Sequence, residues 1–367
     1  MSREVSAQGN IALAKTRQFL ALLAAVRRAP AGHRVGRTWT SMSCYLTSTQ
    51  KRFWILSRED IEERRSDARR RAIESAQEAR TSTGEPLQTD GQEPLTDEEE
   101  TLLRRYYEAK ILKVCAAFSL PSKVQATAVT LFKRFLLGTS LLQHNLKVMM
   151  LTSIYVACKV EENYVSAEEL GKGMHEDASR VLNAELTLLT GLQFQLVTYS
   201  PYRAVNGFRS DLEEKTERGD LEGPAMLREK LDECVGRARR TVDKLMLTDA
   251  PLMYSPGKLG LAAFRAAGRE LGIDTVARYV ESVKEGKEDS DMDASLDALD
   301  EIVRVGGDEP KEEVVRNIDK KLKTWRTSNP MSKVGGDGEA KAGREVKRHK
   351  SASKAARDAE DAALDGS

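Results

Sequence analysis

The chain has 367 residues, of which 31% are charged and only 5% aromatic, and its formal net charge at pH 7 is +1. This length allows two or more domains with their own cores, and the composition favours an all-helical protein with solvated helix faces. The balanced charge gives no global field to attract nucleic acid or a membrane surface, and no apolar run reaches the ~20 residues that span a bilayer. The four cysteines stand apart without a C-x-x-C pair, which excludes a zinc ribbon by spacing and indicates reduced intracellular thiols.

The first segment, residues 1–42, is rich in arginine and poor in acidic residues. This composition is compatible with a transit peptide. We favour instead a disordered extension, or a translation start at Met42.

The next segment, residues 43–95, is predicted to contain one helix and one linker. A polar helix begins at Ser57 and is expected to run to about Arg80. Because it carries only two large apolar residues, it would be marginal alone and should lie against another element. Glycines and prolines then mark a linker over residues 81–95.

Residues 96–198 form a dense block of five predicted helices, recognised from apolar residues at three- and four-residue steps and from capping signals. The helices are predicted to begin at the Thr96-x-x-Glu99 capping box, at Pro121-Ser122, at Met149, at the Ser166-x-x-Glu169 cap and at about Asp177. The second is expected to end near Gly138, the fourth at Gly171 and the fifth near Thr190.

The third helix of this block contains the most informative stretch of the chain, Met149-Met-Leu-Thr-Ser-Ile-Tyr-Val-Ala-Cys-Lys-Val-Glu-Glu162. It is almost wholly apolar and ends in a lysine and two glutamates. The small and apolar side chains imply burial on nearly every side. Lys159, in the last turn, either caps the dipole of its own helix or presents its amine to another group.

Residues 199–305 repeat the pattern with five more predicted helices. The third of them, Leu259–Leu271, is again rich in small residues, which let neighbouring helices approach closely. The two blocks share a helix pattern but little residue identity, which indicates a structural repeat. The other helices of this block are predicted to begin around Tyr202 and to span roughly Pro224–Met246, Asp274–Val280 and Asp291–Val305.

Residues 306–329 are predicted to form one more amphipathic helix. Its apolar face is expected to consist of Val314, Ile318, Leu322 and Trp325.

The last segment, residues 330–367, contains almost no large apolar residue and is predicted to be a disordered charged tail. Lys347, Arg348 and Lys350 form a basic cluster within it that is a candidate nuclear-import signal. Short basic clusters are common in disordered tails, so the cluster is equally explained as solvated surface charge with no import function.

Two blocks of five helices, each built around a small-residue third helix, resemble the cyclin fold. The motifs that carry the resemblance are Tyr155–Glu162, Asn183–Leu189 and Leu192–Leu196. The resemblance implies an all-α protein with two tandem five-helix cyclin repeats and additional helices at both ends.

In cyclins, a lysine at the end of the third helix and a glutamate in the fifth clamp the regulatory helix region of a kinase, and these positions match Lys159 and Glu185. The resemblance implies that the lysine donates to backbone carbonyls, and the glutamate accepts from backbone amides, just before that kinase helix. The pair could instead be a plain intramolecular ion pair. The expected hydrophobic kinase contacts, which could also simply be core residues, are Val156, Val160, Leu189, Leu192 and Leu196.

Further segments, Tyr45–Trp54, Phe132–Phe135 and Leu247–Pro256, resemble the cyclins that serve the CDK-activating kinase, within or beside transcription factor IIH. This implies a nuclear, non-catalytic activator that supports phosphorylation of CDK activation loops and of the RNA polymerase II C-terminal domain. The implied partners are a cyclin-dependent kinase, an assembly subunit and the core of transcription factor IIH. No cofactor and no direct contact with membrane or nucleic acid is expected.

The alternative is a cyclin-fold general transcription factor that binds nucleic acid, because transcription factor IIB uses the same two-repeat fold. Such proteins carry a basic repeat surface and often a zinc ribbon, whereas Pro201–Val305 intersperses acidic and basic residues. An enzyme has no support, since the sequence has no Walker loop, paired-carboxylate or Cys/His constellation, or GxSxG motif. No catalytic residue or metal ligand is therefore expected.

Overall fold

The computed structural model describes residues 45–83, 93–221, 228–285, 291–306 and 309–329, and from Thr47 on these form one compact unit. Within these ranges every regular element is helical, as expected from the sequence. No helix in the described ranges is long and apolar enough to cross a membrane. The predictions for residues 1–42 and 330–367, including Lys347, Arg348 and Lys350, lie outside the described residues.

Fourteen α-helices and one 3-10 turn, Leu141–Gln143, make up the described part of the chain. The helices are α1 (Thr49–Phe53), α2 (Arg58–Thr83), α3 (Asp97–Ala117), α4 (Ser122–Gly138), α5 (Leu146–Val160), α6 (Ala167–Met174), α7 (Ala178–Gly191), α8 (Pro201–Arg218), α9 (Arg228–Met246), α10 (Ala250–Met253), α11 (Pro256–Glu270), α12 (Asp274–Glu285), α13 (Met292–Gly306) and α14 (Glu312–Ser328).

Helix α5 lies at the centre of the first block and packs against α3, α4, α6 and α7. Its residues from Val148 to Cys158 are buried except for Tyr155, as its apolar sequence predicts. The capping box that begins α3 is also confirmed: the Thr96 hydroxyl accepts from the Glu99 amide at 3.2 Å, and the Glu99 carboxylate accepts from the Thr96 amide at 2.7 Å.

Helix α11 has the same central place in the second block, in contact with α8, α9, α12 and α13. Gly260 shows why small residues are needed there. A Cβ atom at this position would lie 2.7 Å from the Ala204 side chain and 3.1 Å from the Pro201 carbonyl oxygen. The glycine therefore lets α11 approach α8 backbone to backbone, which a larger residue would prevent.

The N-terminal helix α2 packs against α4 and the 3-10 turn, as expected for a helix that is marginal alone. Its buried stripe is built mainly from alanines, Ala68, Ala72 and Ala76, at four-residue spacing. The predicted linker over residues 81–95 begins too early, because α2 continues through Thr83.

The predicted end of the fourth helix at Gly171 is wrong, because α6 continues to Met174 and stops at His175, whose φ of 51° is left-handed. Gly171 serves close packing instead. A Cβ atom there would lie 2.6 Å from the Glu176 carbonyl oxygen, so the glycine makes room for the chain that enters α7.

The apolar face predicted for the last helix is shifted at its first position. Val314 is 44% exposed, and the neighbouring Val315 is buried in its place, together with Ile318, Leu322 and Trp325. Both valines fit a helical stripe that includes the tryptophan, so spacing alone does not separate them.

Candidate functional site

Lys159 and Glu185 meet at the rim between α5 and α7. The lysine Nζ lies 2.7 Å and 2.9 Å from the two carboxylate oxygens of Glu185 and 4.3 Å from the centre of the Tyr155 ring. Burial, the largest single influence, favours the neutral amine, but hydrogen bonding and charge attraction to Glu185, together with Tyr155, outweigh it, so the pKa of Lys159 is raised. The side chains are 46% and 23% exposed, so the pair is accessible to a partner.

The first of the two glutamates after Lys159 fixes the end of α5. The Glu161 carboxylate accepts a 2.7 Å hydrogen bond from the Thr127 hydroxyl of α4, and Lys123 donates to the Glu161 carbonyl oxygen. Its backbone amide caps the helix by donating to the Ala157 carbonyl oxygen. Glu162, by contrast, is exposed and left-handed with φ 54°. The lysine is therefore delivered from a helix end that is tied to its neighbour.

The five hydrophobic residues expected at the kinase contact fall into two groups. Val160 and Leu189 are half-buried and border the exposed rim. The other three are buried in the isolated chain and contribute to its core: Val156, Leu192 and Leu196.

The outer face of α7 carries apolar residues that the sequence reasoning did not assign to the site. Leu182 and Leu186 are 41% and 57% exposed, and they share the face of Glu185 and Leu189 at three- and four-residue steps. The adjoining face buries Val181, Ala184 and Leu188. The sequence signal for this surface is that α7 has apolar residues on two faces, whereas a helix at the protein surface needs only one apolar face to pack on the core.

The groups at this rim are suited to binding a partner. Cys158 is buried beside Lys159, and burial raises the pKa of its thiol to about 11, so it is not an activated nucleophile. Across the described residues there is no group of three or more potential metal ligands. The ammonium has three N–H donors and the carboxylate several acceptor sites, so each can bind a second partner while they remain paired. The arrangement is therefore suited to binding an exposed peptide backbone beside an apolar surface.

Two family models match the chain: "Cyclin, N-terminal domain" over residues 77–197 and "Cyclin C-terminal domain" over residues 200–320. The chain belongs to the cyclin family.

Within that family the chain is of the cyclin H type. It is 38% identical to Cyclin-H1-1 of Arabidopsis thaliana, over 77% of this chain and 89% of that protein. It is 34% identical to Cyclin-H of Xenopus laevis, over 66% of this chain and 75% of that protein.

Two solved structures have the same fold. The CAK complex from Chaetomium thermophilum bound to ATP-gamma-S contains a chain with a TM-score of 0.67 and 24% identity, covering 79% of this chain and 90% of that one. The yeast TFIIK (Kin28/Ccl1/Tfb3) complex contains a chain with a TM-score of 0.57 and 25% identity, covering 71% of this chain and 100% of that one.

Proposed function

We propose that this chain is a regulatory cyclin that binds and activates the catalytic subunit of a CDK-activating kinase, within the complex associated with transcription factor IIH. The observation that carries the proposal is the accessible Lys159–Glu185 pair at the rim between α5 and α7 of a cyclin H-type chain. The Kin28/Ccl1/Tfb3 composition of the yeast complex supports a kinase and an assembly subunit as partners.

In the proposed complex, Lys159 donates to backbone carbonyls and Glu185 accepts from backbone amides of the segment before the regulatory helix of the kinase. A kinase is active only when that helix brings its glutamate to the ATP-binding lysine. A cyclin that binds the inward position of the helix more tightly shifts the kinase population towards the active state. The chain thus activates without chemistry of its own, as a regulatory subunit and not an enzyme.

The apolar surface around the pair supplies the rest of the proposed contact. Leu182, Leu186 and Leu189 line α7 beside Glu185, and Val160 follows Lys159. Apolar residues that surround a central polar contact exclude water and strengthen it. Val156, Leu192 and Leu196 then support the surface from beneath; Leu192 is fully buried in the isolated chain, and the kinase reaches only the small exposed edges of Val156 and Leu196.

The same proposal includes the division of the chain and its place in the cell. We place the first cyclin repeat at residues 96–198 and the second at 199–305. The expected activity, phosphorylation of CDK activation loops and of the RNA polymerase II C-terminal domain, requires a nuclear protein. The basic cluster of Lys347, Arg348 and Lys350 is the proposed import signal.

The test is charge reversal of the lysine. Lys159→Glu places two carboxylates at the rim and faces the kinase carbonyls with a negative charge, and breaking such a desolvated contact costs on the order of 2–5 kcal/mol. We expect loss of co-purification with the kinase and loss of kinase activation, with an unchanged helical circular dichroism spectrum.

Lys172→Glu is the matched control, because Lys172 is an exposed lysine in the last turn of α6. It should bind and activate the kinase normally. Normal activation by Lys159→Glu would show that the pair is not the kinase contact.

A further inference from the structure

The segment that joins the two repeats, residues 195–199, is held by side chains from two helices. On one side, Arg134 of α4 donates to the carbonyl oxygens of Gln195 and Val197 at 3.4 and 3.3 Å. From the same helix, the Thr127 hydroxyl lies 2.6 Å from the Thr198 hydroxyl. These contacts tie the segment to the first repeat.

On the other side, Gln50 of the short helix α1 and Trp54, the residue that caps its C-terminal end, bind the same segment through their polar groups. The indole N–H of Trp54 donates to the Gln195 side-chain oxygen at 2.8 Å, and the Gln50 side-chain oxygen accepts from the Tyr199 amide at 2.6 Å. Gln50 is buried to 3% exposure although it is polar. A buried amide side chain is retained where its hydrogen bonds are satisfied, which indicates a specific clasp on the segment.

Helix α1 is itself fixed at the junction of the two repeats. Trp54 packs with Leu137 of α4 and Leu252 of α10, and the Arg134 guanidinium lies 5.1 Å from the centre of its ring. The Leu56 amide donates to the Leu252 carbonyl oxygen at 2.8 Å. The clasp therefore has a defined position relative to both repeats.

The clasped segment is continuous with the candidate site. It begins four residues after α7 ends and contains Leu196, which is buried, and Val197, which is 52% exposed. Thr127 binds Thr198 and also the Glu161 carboxylate at the end of the helix that carries Lys159. The segment and the end of α5 thus share one hydroxyl group as an anchor.

We propose that Gln50 and Trp54 are positioning residues for kinase binding: they hold residues 195–199 so that Leu196 and Val197 lie in fixed register with the Lys159–Glu185 pair. This inference rests on the proposed function of that pair. It assigns to α1 an effect on the kinase-binding surface that acts through the segment between the repeats and needs no contact between α1 and the kinase.

The first test measures the segment in the free chain. In Gln50→Ala the Tyr199 amide loses its acceptor, and its hydrogen exchange should become about tenfold faster, the effect of losing one buried hydrogen bond. Gln50→Glu keeps an acceptor at this position and should exchange more slowly than the alanine variant. Unchanged exchange in Gln50→Ala would overturn the clasp.

The second test measures affinity for the catalytic subunit of the CDK-activating kinase, with the full chain at a temperature where every variant is folded. Gln50→Ala and Trp54→Phe should each weaken binding by about tenfold, because Leu196 and Val197 would no longer be held in position beside the Lys159–Glu185 pair. Trp54→Phe keeps an aromatic ring beside Arg134 and removes only the N–H donor and part of the ring.

Arg65→Gln is the matched control, because Arg65 ties the same N-terminal segment to Asp249 of the second repeat at 2.6 Å without touching residues 195–199. It should lower stability but leave Tyr199 exchange and kinase affinity unchanged. Equal loss of affinity in Arg65→Gln and Gln50→Ala, or faster exchange without loss of affinity, would overturn the inference. Lys159→Glu separates the two proposals: if it binds normally, the proposed function fails, whereas failure of the Gln50 variants alone contradicts only the positioning role.

Discussion

Lys159 has two roles available to it, and its surroundings separate them. It lies in the last turn of α5, where a cation is favourable, and it is paired with Glu185 at a partly exposed surface. An ion pair of that exposure contributes only ~0–1 kcal/mol to stability. The pair is thus a weak means of stabilising the chain, while the free donors and acceptors of both side chains remain suited to a partner.

Leu186 allows the apolar part of the surface to be tested at the same scale. It is 57% exposed, so Leu186→Ser removes little buried area and should leave the thermal unfolding midpoint nearly unchanged. Its affinity for the kinase should fall, because the serine replaces an apolar contact with a polar group. Thermal unfolding and a binding titration check both expectations.

Leu188, two residues along the same helix, is fully buried and provides the comparison. Leu188→Ala should lower the free energy of unfolding by about 2–5 kcal/mol through the cavity it leaves. A Leu186→Ser variant that loses stability and keeps its kinase affinity would show that Leu186 belongs to the core.

At the scale of elements, the sequence predicts the long helices well because their signals are local. The capping box at Thr96 and the small-residue stretches of α5 and α11 each have a physical cause within a few residues. Helices α1 and α10, of five and four residues, were not predicted, because so short a helix has no apolar periodicity.

The candidate site was predictable only in part, for a different reason. The family motif identified Lys159 and Glu185 as candidate site residues, and the structure places the two side chains in contact. The sequence signals Leu182 and Leu186 only indirectly, through the excess of apolar residues on α7, because which of them are buried depends on neighbours distant in sequence. The clasp of Gln50 on Tyr199 spans 149 residues and has no local signal at all.

The helices outside the repeats should matter for activation, and truncations test this. Deleting Met1–Thr47 leaves Ser48, whose hydroxyl caps α1, and should not change kinase activation. Deletion through Arg80 removes α1 and most of α2, and with them the clasp on residues 195–199, so it should weaken kinase activation.

Truncation before Glu312 removes α14 and should weaken activation as well. This helix buries Trp325, and Arg326 donates to the carbonyl oxygens of Leu142 and Leu141 at 2.9 and 2.6 Å. The test is to measure kinase activation and the thermal unfolding midpoint for all three truncated chains and to compare them with the full chain. Equal activity of all three would mean that the outer helices have no part in activation.

At the scale of the whole molecule, several arginines of the second repeat are paired with carboxylates. Arg209 lies 2.7 Å from Asp232, Arg237 lies 2.8 Å from Glu233, and Arg265 contacts two aspartates of α13. Arginines that are neutralised in this way release few counterions from a phosphate backbone. This arrangement does not favour the alternative of a cyclin-fold protein that binds nucleic acid.

A cavity of about 770 Å³ lies between α2, α3 and the loop around Asp249. Charged side chains from the N-terminal segment and from both repeats line it. Arg65 donates to both Asp249 carboxylate oxygens at 2.7 and 2.6 Å. Burial alone would raise the pKa of Asp249, but its hydrogen bonds and charge attraction to Arg65 outweigh this and hold the pKa well below its usual value. The ionised carboxylate therefore stabilises the folded chain.

This lowered pKa gives a pH dependence with a definite sign. The stabilisation is present above the unfolded pKa of about 3.9 and is lost as pH falls through the lower folded pKa. The Asp249→Asn variant should therefore be less stable than the wild type near neutral pH, and the difference should shrink from about pH 5 to about pH 2. The Asp249 side chain is 40% exposed, so solvent screening keeps the effect small. Denaturant unfolding across this range measures it, and a pH-independent difference would contradict the assignment.

Whether Lys159 and Glu185 face a kinase, or only each other, is tested most directly by exchanging them. The double variant Lys159→Glu/Glu185→Lys restores an ion pair across the same rim, so its unfolding midpoint should return close to that of the wild type. The kinase would meet a carboxylate where it offers carbonyls and an ammonium where it offers amides. Kinase activation measured with the purified full chain should therefore stay as low as in Lys159→Glu alone, and recovery of wild-type activation by the exchanged pair would contradict the proposed contact.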